Sequence, residues 1–77
     1  MTNVTELKVA LLRKGMTAEQ LADTIGISRV SMSYKMTGYM GREFNQSEIS
    51  AIMDALDLSP DDAKTIFFAE AVEKQAT

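Results

Sequence analysis

Apolar residues recur along the chain at helical spacing, and each run opens on a capping residue and closes on a breaker. Behind Asn3 and Glu6, an N-cap with its third-position partner, Leu7, Ala10 and Leu11 line one face until Gly15, which predicts a helix over Val4–Lys14. Thr17 and Gln20 form a Thr-x-x-Gln capping box, and Met16 stands where it can staple onto Leu21. The helix they start runs from Ala18 to Ile25 and buries Leu21, Ala22 and Ile25, with the small Ala22 where two helices must cross closely. Gly26 falls where the chain must turn with positive φ. Ser28 then caps a helix over Arg29–Met36, with Ile27 at stapling distance from Met32 and with Met32 and Met36 facing inward.

Periodicity lapses from Thr37 to Phe44, where Gly38 and Gly41 predict a loop. Asn45 and Glu48 make the next capping pair, with Phe44 and Ile49 as staple, and Ile49, Ile52, Met53 and Leu56 form an inward face. Ser59 caps the last helix, Pro60 suits its first position, and Asp61 and Asp62 complement its dipole. This helix carries Ala63, Ile66, Phe67 and Ala71 and is expected to fray after Phe68. No stretch alternates as a strand does and no repeat is visible, so the fold class is all α, with five helices. Ile66, Phe67 and Phe68 point around so much of the helix that one monomer is not expected to bury all three. They are therefore the candidate dimer interface.

Seventy-seven residues make one small domain, 1–77, with residues 60–77 as its dimerisation element. Cysteine and histidine are both absent, which removes disulfides and the usual metal ligands, and no cofactor is expected. With neither residue, no glycine-rich phosphate loop and no serine beside a plausible base, enzymatic activity and a small-molecule substrate are excluded. Met16, Met32, Met36 and Met53 read as core filler, while Met40 in the loop stays unassigned. No apolar run is long enough to span a membrane and no secretory pattern opens the chain, so the expected location is the cytoplasm. The polar Glu73–Thr77 segment argues for a whole domain over a fragment of a longer repressor.

The net charge of −3 is unevenly distributed. Lys8, Arg13, Lys14, Arg29, Lys35 and Arg42 against Glu6, Glu19, Asp23 and Glu43 give +2 up to Phe44, and the rest of the chain carries −5. One half can meet phosphates and the other would be repelled by them, which orients the chain on DNA. Met16–Gly38 supplies the matching architecture: two capped helices around a tight glycine turn form the helix-turn-helix unit, 17–37, of DNA-binding domains.

Gln20-Leu21-Ala22, Ile25-Gly26, Ile27-Ser28-Arg29 and Ser31-Met32-Ser33 together resemble the core of the Cro/repressor (XRE-type) helix-turn-helix family. Phe44-Asn45-Gln46-Ser47-Glu48-Ile49 and Ile66-Phe67-Phe68 look like the small prophage regulators of Gram-positive bacteria. The resemblance spans Leu7 to Phe68 and implies a lambda-repressor-like domain that binds double-stranded operator DNA as a homodimer, with helix three in the major groove. Carried over residue by residue, it implies base reading by Arg29, Val30, Ser33 and Tyr34, with Arg29 suited to guanine O6 and N7. Thr17, Ser31, Lys35, Tyr39, Arg42 and the Ala18 amide become the candidate phosphate contacts. Two residues depart from the family pattern. Lys35 stands where a bulky apolar residue is common, with Met36 one place later, and Ala18 replaces a phosphate-gripping glutamine. The acidic pI of about 4.7 keeps a second reading in view, a module that binds another phage-type repressor in place of DNA.

Overall fold

The computed structural model describes residues 2–68, and five α-helices account for most of them. Helix α1 (Val4–Lys14) starts where the Glu6 N–H donates to Asn3 Oδ1 at 3.1 Å. Helix α2 (Ala18–Ile25) starts on a complete capping box: Gln20 N–H donates to Thr17 Oγ1 at 3.1 Å, and Thr17 N–H donates to Gln20 Oε1 at 2.9 Å. At its end Gly26 takes the left-handed conformation, φ 81° and ψ 31°. The N–H groups of Gly26 and Ile27 both return to the Ala22 carbonyl, at 2.9 and 3.0 Å, which satisfies the end of the helix and reverses the chain.

Helix α3 (Arg29–Thr37) begins with Ser31 N–H donating to Ser28 Oγ at 3.0 Å. It extends one residue past the expected Met36, because the Thr37 hydroxyl bonds back to the Ser33 carbonyl at 3.0 Å and Gly38 provides the left-handed stop. Inside the expected loop, Tyr39–Gly41 closes a short 3-10 turn with Met40 held at φ 55°. Helix α4 (Gln46–Leu56) and helix α5 (Pro60–Phe67) both open on reciprocal boxes, Asn45 with Glu48 and Ser59 with Asp62. Asp62 thus closes a box in addition to facing the dipole. Helix α5 stops at Phe67, and Ala71, with the rest of 69–77, lies outside the described residues.

The core draws one large, fully buried side chain from each of the first four helices: Leu7, Leu21, Met32 and Ile52. Helix α2 packs on α3 and α4, while α1 lies against α4 and α5. The assignment of Ile66 and Phe67 to a dimer interface is corrected here, because both are buried within the monomer at 3% and 5% exposure. Phe67 meets Phe44 edge to face, with ring centroids 5.8 Å apart, and the Ile66 carbonyl accepts the Asn3 N–H at 2.6 Å. The last turn of α5 is wedged between α1 and Phe44, so two adjacent positions both face protein. Phe68 is left 46% exposed.

Helix α4 ends on Asp57 in the left-handed conformation, φ 55° and ψ 47°, with its carboxylate at the negative end of the helix dipole. Glycine relieves both costs. Asp57→Gly should stabilise the domain by about 0.5–1 kcal/mol, read as a higher midpoint of urea unfolding at pH 7.

Candidate nucleic-acid interface

Met32 and Met36 are buried in the core, where α3 packs on α2, and this fixes which way α3 faces. At helical spacing, Val30, Ser33 and Thr37 then turn away from that face, and Arg29, three residues before Met32, is exposed at its edge. Val30 is 59% exposed, an isolated apolar side chain on an otherwise polar row. The amino ends of α2 and α3 both lie at this side of the molecule, where Ala18, Glu19, Arg29 and Ser33 line one groove. That groove has a volume of about 340 Å³, and Val4 and Lys8 of α1 form its far wall.

Electrostatics divides the predicted contacts into two groups. The Lys35 ammonium is 2.6 Å from Glu48 Oε2, with side-chain exposures of only 18% and 11%. The expectation that Lys35 touches a phosphate is corrected, since its charge ties α3 to the start of α4. Burial pushes the Glu48 carboxyl up, but the Lys35 hydrogen bond, the Asn45 backbone N–H and the Lys35 charge outweigh it and hold the group below its ordinary value. Arg29 keeps 73% of its side chain exposed, with Nη2 3.3 Å from Glu19 Oε2. Tyr34 is half-buried. Its ring packs on Tyr39 at 4.8 Å between centroids, and the Arg42 guanidinium sits 5.7 Å from its centre. These three side chains brace the loop that follows α3.

Thr17 and Ser31 remain at the starts of their helices, Thr17 exposed with Oγ1 accepting from Gln20, and Ser31 half-buried with its N–H on Ser28. Tyr39 and Arg42 are exposed at the loop. The model of the Cro/C1-type helix-turn-helix DNA-binding domain matches residues 6–66. The chain belongs to that family. No match was found among curated proteins or among solved structures.

Members of the Cro/C1-type family bind DNA and are typically non-enzymatic. Among the described residues, no helix is long and apolar enough to cross a membrane. Two residues take places at this face that no motif assigned to them. Lys8 carries no motif, and only the packing of α1 brings it to the groove beside α3. Thr37 falls in the expected loop by periodicity but belongs to α3, and its hydroxyl, four residues after Ser33, is the signal for the extra residue of helix.

Because Glu48 titrates lower in the folded protein, its contribution to stability is complete above the unfolded value and is lost as pH falls through the folded one. Glutamine preserves the capping box but not the charge. Glu48→Gln should therefore cost about 1–2 kcal/mol in urea unfolding at pH 7, and the difference from wild type should shrink as pH falls below the ordinary carboxylate range.

Proposed function

We propose that the protein is a sequence-specific transcriptional regulator that binds operator DNA as a homodimer, with α3 in the major groove. The observation that carries this reading is the outward row Arg29, Val30 and Ser33 at the start of α3, set over the buried Met32 and Met36. Family membership supports DNA as the partner. In this reading Arg29 binds a guanine edge, Val30 meets a thymine methyl, and Ser33 and the Tyr34 hydroxyl serve neighbouring bases. Thr17, Ser31, Tyr39, Arg42, Lys8 and the Ala18 amide hold the backbone and give no sequence information. Phe68, at the end of α5, provides the apolar contact between two copies within a single-domain chain, and half-sites lie about one helical turn apart.

Mobility-shift titrations on a duplex enriched by the protein from a random-sequence library test the reading. Lys8 and Arg42 are the cations assigned to phosphates, so a dimer neutralises about four, and log K should fall with log salt at a slope of roughly −4. Arg29→Ala should weaken binding to the enriched duplex by about 10- to 100-fold and weaken a shuffled duplex far less. If no duplex is preferred over shuffled DNA even at low salt, the reading is lost, and a second regulator becomes the partner to seek.

Light scattering checks the dimer separately. Wild type should show a concentration-dependent dimer, and Phe68→Ala should raise its dissociation constant about 10-fold. A monomer mass at high concentration, the same in both proteins, would remove Phe68 from the interface.

A further inference from the structure

The pairing of Arg29 with Glu19 has no evident role in holding the fold together. Both side chains are largely open to solvent, at 73% and 54%, and neither belongs to the core. The first turn of α2 is already capped by Thr17 and Gln20. A pair this exposed adds little to stability. Its position is more informative, since it lies at the groove where the amino ends of α2 and α3 meet and engages the first residue proposed to read bases.

We propose that Glu19 is a specificity-determining positioning residue, one that presents the Arg29 guanidinium to a base edge and withholds it from the DNA backbone. This rests on the DNA-reading function proposed above. A guanidinium has five N–H donors in one plane. Glu19 approaches at Nη2, which leaves the second Nη2 hydrogen and the Nη1 donors for an end-on, two-bond contact with guanine O6 and N7. Those acceptors are uncharged, so the carboxylate can stay beside the guanidinium and balance its charge in the base-bound geometry.

A phosphate presents a different case. It is itself an anion, it competes with Glu19 for the same guanidinium, and it brings its own charge close to the carboxylate. Glu19 therefore weakens an Arg29–phosphate contact more than an Arg29–guanine contact. Binding to random DNA consists essentially of phosphate contacts, so the net effect is a larger ratio of specific to non-specific affinity.

The test compares wild type, Glu19→Gln, Arg29→Ala and the double variant on two probes, the enriched duplex and its shuffled counterpart. Glutamine keeps the length and helix preference of the side chain and removes only its charge. Glu19→Gln should bind the shuffled duplex about 5- to 10-fold more tightly and steepen its salt slope by about one per bound subunit, while affinity for the enriched duplex rises less than threefold. In the Arg29→Ala background, the same substitution should leave the ratio between the probes unchanged. An unchanged ratio in Glu19→Gln alone overturns the proposal. So does an equal loss of ratio with and without Arg29, because Glu19 would then act as a general repulsive charge. Wild type with no preference for any duplex overturns the DNA-reading function itself, and this proposal with it.

Discussion

The direction in which α3 faces is set by the reversal at Gly26. Two N–H groups converge on the Ala22 carbonyl there, and a left-handed residue lets the chain turn back within three residues of α2. Ala22 itself is fully buried and small, so α3 can cross α2 closely enough for Met32 and Met36 to reach the core. Once those two side chains are buried, helical spacing leaves Val30, Ser33 and Thr37 on the outside, with Arg29 exposed at the edge of the buried face. The outward row is thus a consequence of how the inward row is packed.

Local features were legible because their physics is local. Each N-cap bond joins residues three apart, and the predicted starts at Asn3, Thr17, Ser28, Asn45 and Ser59 all carry their side-chain bond. The starts of α2 and α3 and the turn between them were fixed in the same way, which is why the helix-turn-helix unit was readable before any packing was known. Helix ends were less secure. Asp57 and Met40 take left-handed backbone without being glycine; aspartate signals this only weakly and methionine not at all.

Longer-range pairing was not legible. Lys35 and Glu48 are thirteen residues apart, on helices whose relative placement depends on the whole core, and so Lys35 read as a free surface cation. Its place among the family's apolar positions acquires a physical account in the structure: a half-buried site occupied by a charge needs a partner, and Glu48 supplies one while also capping α4. The same limit applied to Ile66 and Phe67. Consecutive apolar residues cannot all face one side of an isolated helix, but a helix end wedged between two neighbours has protein on both sides.

These pairings alter what the charge of the chain implies. An acidic protein with a basic half first suggests that the basic half drives association with DNA. In the structure Lys35 is neutralised within the fold and Arg29 is balanced by Glu19, so the outward face of α3 has a weak positive field despite two basic residues on that helix. Such a face attracts arbitrary DNA poorly, because sequence-independent affinity scales with the phosphates a protein neutralises. It loses less on a matching site, where hydrogen bonds and apolar contacts to base edges provide the discrimination. An overall charge of −3 is therefore compatible with reading DNA, provided that recognition depends on the fit of α3 to the groove more than on attraction to the backbone.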